Sequence, residues 1–391
     1  MAGKRVVIVG GGLIGLSVAR ALTLRGVDDV LVFERDVLAS GGTGKSSGIV
    51  RCHYGVPSIA AMAWRSVPLF EELGDVIGFR QVGYLVGVGA ENVEPLRANT
   101  ETHQGLGIEA ELIDHDRVAG LWPYLRLDDF AAFSYEPRGG YADASQLALH
   151  FGAVARDGGA RIRQNATVAR IRTLGDAVTG VELADGSTVE ADVVVVATGL
   201  WADRLMATVG VELPLKSLHS ELVVVDAGEP VRDVPVLSDL VSLQYVRTEG
   251  SAGELLVGNS DHRKPKYADP DNYSNQASEA GLERAATKVL HRFDKFPDPS
   301  VSHTYAGCYD NTPDWNPVIA PVGFGGLFIA AGFAGHGFKI SPAVGTLMAD
   351  LIIDGDSSDP DIPASDFRFE RFAEDRLLTS LHPYVGAGEM R

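Results

Sequence analysis

The sequence predicts an α/β protein: a parallel nucleotide-binding sheet assembled from distant segments, joined to a second domain of short antiparallel strands. Three observations carry this expectation. Residues 5–15, RVVIVGGGLIG, run an apolar strand directly into Gly10, Gly12 and Gly15. Two further apolar runs, at residues 192–197 and 326–331, each end near glycine. Between these returns, residues 81–88, 221–225, 243–246 and 254–258 alternate with turn residues, as antiparallel strands do.

The opening unit is explained by what a dinucleotide pyrophosphate requires. Gly10 makes a tight turn, Gly12 lets backbone approach the phosphates, and Gly15 lets the helix pack closely on the strand. The helix N-terminus then faces the anion with unpaired N–H groups and a positive dipole end. A helix from about Leu13 to Arg25 stops at Gly26, and the next strand, residues 30–33, ends at Glu34. That is the acid expected roughly 20 positions on, which binds a ribose hydroxyl. The two later apolar runs read as strands buried on both faces, so Thr198, Gly199 and Gly332 mark strand ends at the cofactor side of the same sheet.

The third return is the richest in chemistry. Residues 331–339, AGFAGHGFK, hold Gly335, His336, Gly337, Phe338 and Lys339, followed by Ser341 and Pro342 as the expected cap and first turn of a helix reaching about Ile353. Such a turn points N–H donors and a dipole end at whatever lies at the sheet edge.

Composition sets the outer bounds. At 391 residues the chain exceeds one ordinary core and calls for two domains. A net charge of −18 speaks against nucleic acid and anionic membranes as partners. Cys52 and Cys308 provide neither a disulfide framework nor zinc-ligand spacing. No apolar run has the length of a membrane span, and the chain opens on a core strand without a leader, so a cytoplasmic enzyme is expected.

Together, the glycine motif, residues 44–51 (GKSSGIVR), 139–143 (GGYAD), 197–202 (ATGLWA), 309–314 (YDNTPD) and 335–339 (GHGFK) resemble the D-amino-acid oxidase superfamily, in its sarcosine oxidase branch. The resemblance spans nearly the whole chain. It implies an FAD-binding Rossmann-like domain (1–82, 141–216 and 307–391) and an antiparallel-sheet substrate domain (83–140 and 217–306). It also implies oxidation of a small secondary or N-methyl amino acid to an imine that water hydrolyses. Primary D-amino acids are the alternative substrate class. An FAD-bearing subunit of a larger amine-oxidising complex is the alternative role.

By the same resemblance, Gly10, Gly12, Leu13, Ile14, Gly15, Glu34, Arg35, Ser46, Ser47, Val168, Thr198, Gly199, Gly335, Gly337, Phe338 and Lys339 hold FAD. Arg51 and Lys339 are the cations for a substrate carboxylate, which a forked guanidinium binds well. Tyr245 lines the substrate face, His336 lies by the flavin, and Tyr309 either meets the ligand or closes its loop. Because the cofactor is the electron sink, the protein's task is orientation and electrostatics.

Three positions depart from the family pattern. Gly48 stands where an arginine is expected, which implies one cation fewer and more room in the pocket. The flavin-linking cysteine would fall at Gly307, one place before Cys308, so FAD is expected to be held without a covalent bond. Leu256 replaces an oxygen-activating lysine. The electron acceptor is accordingly dioxygen or a dye-like or protein acceptor, with the latter favoured, and a partner subunit is compatible with the chain.

Overall fold

A computed structural model describes residues 3–386, which form two compact units. The first comprises Met1–Ser46, Asp143–Ser217 and Tyr309–Leu378; the second comprises Ser47–Ala142, Leu218–Cys308 and Thr379–Arg391. Against the expected bounds, residues 47–82, 141–142, 307–308 and 379–386 group with the second unit and Ser217 with the first.

The first unit is built on a six-stranded sheet in the order Val318–Pro321, Leu327–Ala331, Val193–Val196, Arg5–Val9, Asp29–Phe33, Arg161–Arg163. All neighbours are parallel except Val318–Pro321, which pairs antiparallel with Leu327–Ala331. The three apolar runs read from the sequence are therefore adjacent strands, and Val6–Ile8 and Val194–Val196 are fully buried. Helix Leu13–Leu24 follows the first strand as expected, with Gly26 beyond it at φ +78°. It packs on helix Gly337–Ile353 at Gly345, where any Cβ would overlap the backbone of Ser17. A separate antiparallel sheet, Val168–Leu174, Ala177–Leu183 and Thr188–Glu190, lies outside the sequence expectation.

The second unit holds an eight-stranded sheet in the order Ser300–Asn311, Lys216–Asp226, Glu254–Asn259, Gln244–Glu249, Val236–Asp239, Tyr84–Val88, Ala132–Glu136, Glu111–Ile113. The last three residues of its first strand belong to the first unit. Antiparallel pairing prevails as expected, but Tyr84–Val88 and Val236–Asp239 run parallel, because segments far apart in sequence meet at the sheet centre.

Side chains alternate between the two faces of a strand, so register sorts the residues. One face sends Leu85, Phe133, Val223, Leu237, Val246 and Leu255 into a core with Trp122 and Phe293. The opposite face carries Glu136 beside Tyr84, and Arg247 and Tyr245 beside Leu256 and Gly258. Among the described residues no helix is long and apolar enough to cross a membrane.

Candidate functional site

Gly10 and Gly15 stand where the main chain leaves no room for a side chain. Gly10 has φ +115°, and a Cβ there would overlap the carbonyl oxygen of Ala197; a Cβ on Gly15 would overlap that of Gly10. Gly12 differs. Its backbone is extended, and its absent Cβ leaves a space bordered only by Thr43 Oγ1 at 3.3 Å. As N-cap, Gly12 offers helix Leu13–Leu24 no side-chain cap, and the first turn holds no acidic residue. Thr43 Oγ1 accepts from Leu13 N at 3.0 Å, a role without a signal in the sequence. The turn is a cradle of donors with room against its backbone, which fits a pyrophosphate.

Glu34 sits where a ribose-binding acid belongs, at the end of strand Asp29–Phe33. Its Oε2 accepts from Gly11 N at 2.7 Å and its Oε1 from Asp36 N at 2.9 Å, which fixes the carboxylate against the glycine turn. The Arg35 guanidinium lies 3.8 Å from the Trp201 ring centroid. Ser46 closes the 3₁₀ turn Gly42–Lys45, whereas Ser47 falls in the second unit, where its carbonyl accepts from Arg247 Nε at 2.6 Å. Val168 opens a strand of the small antiparallel sheet and packs on the apolar core. Thr198 caps the turn Gly199–Trp201, and its Oγ1 is buried with no partner among the described residues.

A second uncapped helix start lies at the end of strand Leu327–Ala331. The helix begins at Gly337 with His336 as N-cap, without a side-chain cap or an acidic first turn. The expected cap at Ser341 is corrected: Ser341 is inside the helix and fully buried. Its reason for being there is local. Pro342 lacks an N–H for the carbonyl of Phe338, and Ser341 Oγ donates to that carbonyl at 2.9 Å. Lys339 is buried on this turn, its Nζ 3.3 Å from the carbonyl of Gly335. The turn itself is held by Asp310 of the 309–314 motif, for which no role was expected. Asp310 Oδ2 accepts from Gly332 N at 2.8 Å, and Phe333 and Ala334 N–H groups also bond it. Burial nevertheless pushes its carboxyl pKa up. The ring of Tyr309 packs against Gly335.

The second unit gathers buried charged residues on the sheet face opposite the Trp122 core. Arg51 is buried; its Cζ lies 4.0 Å from the Tyr54 ring centroid and 5.7 Å from that of Tyr84. Its Nη1 donates to the carbonyl of His53. Burial alone would lower the guanidinium pKa, but Tyr54, Tyr84, Glu136 and Cys52 hold it above its ordinary value. Glu136 Oε2 accepts from Cys52 N at 2.8 Å, while Oε1 has no hydrogen-bond partner among the described residues and lies 4.0 Å from His53 Nδ1. His53 Nε2 meets Tyr384 Oη at 2.7 Å, and His103 Nε2 donates to the carbonyl of Tyr54 at 2.9 Å. None of Glu136, His53, His103 and Tyr384 was among the expected catalytic residues.

Tyr245 crosses over Gly258, and Leu256 is fully buried with Leu222 and Val224, against Tyr245 and Tyr305. The room expected at Gly48 is absent: it has φ +66°, and a Cβ would overlap the carbonyl oxygen of Ala142. Glycine stands there because the backbone is close. Cys52 and Cys308 are both buried.

A glycine turn with a ribose-type acid and two helix starts whose N-cap residues give no side-chain cap, on a parallel sheet, define a dinucleotide-binding oxidoreductase unit. The chain belongs to the FAD-dependent oxidoreductase family, whose model matches residues 5–351, and its cofactor is FAD. It is 30% identical to 4-methylaminobutanoate oxidase (formaldehyde-forming) of Paenarthrobacter nicotinovorans, over 99% of this chain and 48% of that protein. It is 28% identical to sarcosine oxidase subunit beta of an Arthrobacter species, over 95% of this chain and 92% of that one. The crystal structure of L-proline dehydrogenase from P. horikoshii superposes with a TM-score of 0.87 at 25% identity, covering 96% of this chain and 99% of that one. The chain spans about half the length of several curated relatives it matches.

Proposed function

We propose that this chain oxidises a small secondary or N-methyl amino acid, with FAD held without a covalent bond. FAD, when bound, accepts the two electrons and hydrogen that leave the carbon beside the amine nitrogen. The observation that carries the substrate class is Arg51, a buried guanidinium on a tyrosine-lined sheet face. A desolvated arginine has the fork that a carboxylate matches, and burial strengthens that contact relative to water.

The chain's residues divide the remaining work. The first turns of the two first-unit helices, about residues 12–15 and 337–339, supply N–H donors for the cofactor's anionic groups. Arg51 orients the substrate by its carboxylate. The same role is assigned to Lys339, and Tyr245 and His336 remain candidates to line the ligand. No strong general base is needed, because loss of the electron pair to the cofactor leaves an imine whose hydrolysis requires only water. Leu256 puts no charge where a cation would assist electron transfer to dioxygen, which supports a dye-like or protein acceptor. The likeness to a protein named as a subunit supports a partner chain in the working enzyme.

The test is bleaching of the flavin spectrum without oxygen across paired amines, each amino acid beside its decarboxylated counterpart. N-methyl or secondary amino acids are expected to bleach it, and the decarboxylated amines far less. Charge-assisted hydrogen bonds contribute roughly 1.5–3 kcal/mol, so Arg51→Met and Lys339→Met should each lose about tenfold or more in kcat/KM on the amino acid alone. Equal losses on both amines, with FAD content intact, reject the carboxylate role. Bleaching by primary D-amino acids alone selects the alternative substrate class.

A further inference from the structure

Glu136 is the unused group in this site. It is a fully buried carboxylate reached only when strand Ala132–Glu136 pairs with Tyr84–Val88, which sets Glu136 directly opposite Tyr84. Tyr84 and Tyr54 are also the rings that flank Arg51. One oxygen of Glu136 is tied to the backbone next to Arg51, and the other has no hydrogen-bond partner among the described residues. A buried acceptor left unsatisfied is costly, and more so when ionised.

We propose that Glu136 is a positioning residue that sets how strongly Arg51 holds a substrate carboxylate. As a carboxylate, it draws on the guanidinium's field; as the neutral acid, it leaves that field to the substrate. The proposal rests on the reading of Arg51 given above.

The groups around Glu136 agree with this role. Arg51, Cys52, His53 and Tyr54 come from the segment after strand Ile49–Val50, Tyr84 from the sheet, His103 from helix Val93–Gly105, and Tyr384 from residues 379–386. Arg138, two places along, acts on Cys52. Burial pushes Glu136 up to about 7, with the Cys52 N–H and Arg51 pulling it partly back. Burial pushes His103 down to about 4, so it stays neutral at working pH; the Tyr54 carbonyl opposes this, and Arg51 adds to it. Burial and Glu136 also raise Cys52, which keeps it a thiol.

The two imidazoles and the carboxylate each bring a ligand-type atom to within 4.8 Å of one another, a spacing that also suggests a metal. Ligand atoms around a tetrahedral ion stand about 3.4 Å apart, so the cluster would have to contract. More decisively, a dication would join the permanent charge of Arg51 in the same buried volume, where Glu136 is the carboxylate that acts on that arginine. A proton satisfies Glu136 without that repulsion.

The test uses the flavin-loaded full chain, with KM and kcat followed from pH 6 to 8.5 on an N-methyl amino acid and on its decarboxylated amine. In the native protein, KM for the amino acid should rise about tenfold relative to the amine as Glu136 ionises, with kcat within twofold. In Glu136→Gln that relative rise should fall below twofold, with KM near its low-pH value throughout. A Glu136→Gln protein of native flavin content that keeps the full rise overturns the proposal and assigns the titration elsewhere in the cluster. Should the variant not fold, the native protein still decides: binding of acetate near pH 7 should take up protons, and uptake of none overturns it. A stoichiometric divalent cation in protein purified without chelator also overturns it. Arg51→Met reports separately on the underlying reading, since it alone tests whether the guanidinium discriminates carboxylates.

Discussion

The two units hold their chemistry in different materials. In the first, function is written in backbone: Gly10, Gly12 and Gly15 shape one helix start, and Gly335 and Gly337 lead into another. In the second, it is written in buried side chains, with Arg51, Glu136, His53 and His103 brought onto one sheet face from separate elements. Backbone sites are local in sequence and tolerate little change in main-chain shape. Side-chain sites depend on long-range pairing and on the balance of charge.

Among the described residues each unit also has a fully buried structural arginine, and these give the largest expected effects. Arg371 pairs with Asp314 at 2.7 Å and bonds the carbonyl of Asn316 in the first unit. Arg292 pairs with Asp239 at 2.7 Å and with Asp129 at 2.6 Å in the second. Removing one partner of a buried pair costs about 3–5 kcal/mol, because the remaining charge is left uncompensated. Arg371→Met and Arg292→Met should each lower stability by that amount in urea unfolding. Added FAD should restore Arg371→Met more than Arg292→Met, since a ligand stabilises the unit that binds it. Equal rescue of both would break the contrast between the units.

Smaller effects come from the buried cluster, where two groups work in opposite directions. His103 has a folded pKa of about 4, below its ordinary 6.5, so the unfolded chain binds the proton first and His103 costs stability as pH falls from 6.5 to 4. Glu136 has a folded pKa of about 7, above 4.5, so the folded chain binds the proton first and Glu136 adds stability as pH falls from 7 to 4.5. Each contributes at most about 3 kcal/mol across its window. The native protein should therefore show little net slope from this cluster. His103→Gln should gain stability relative to native on acidification, and Glu136→Gln should lose it. Parallel urea midpoints for all three proteins between pH 7 and 4.5 would show that the cluster does not titrate.

The contrast between the units also explains what the sequence disclosed. The glycine turn was legible because strand, turn, helix and Glu34 follow one another within about thirty residues, and each glycine has a local reason. The discontinuous parallel sheet was legible from three apolar runs. Glu136 and His103 were not, because nothing in residues 132–136 or 93–105 shows that strand pairing and helix packing bring them beside Arg51. The same holds for Arg292 and Asp239, whose local sequence carries no sign that helix Glu279–Arg292 brings them together. Ser341 misled for a physical reason: Ser-Pro suits a helix start, but it equally suits an interior turn where the hydroxyl takes the carbonyl that proline leaves unbonded. Gly48 misled because a missing side chain was read as space, whereas backbone fills it.

The smallest expected change in stability belongs to Gly12, and it separates a glycine kept for the chain from one kept for the ligand. Gly15→Ala must push its Cβ into the carbonyl of Gly10, a backbone atom that cannot move alone, so a cost of about 1–3 kcal/mol is expected without any cofactor. Gly12 has φ −76° and ψ 177°, which alanine adopts freely, and its Cβ would meet only the Thr43 hydroxyl at 3.3 Å. Gly12→Ala apoprotein should therefore unfold within about 0.5 kcal/mol of native apoprotein. The methyl group would nevertheless occupy the space against the turn where the pyrophosphate fits, and FAD affinity should fall at least tenfold, about 1.4 kcal/mol or more. Dialysis should strip FAD from Gly12→Ala more readily than from native protein, and that loss also requires the flavin to be unlinked to Cys308. Native-level retention of FAD by Gly12→Ala would mean that the turn serves the fold alone; retention through acid precipitation would show a covalent bond instead.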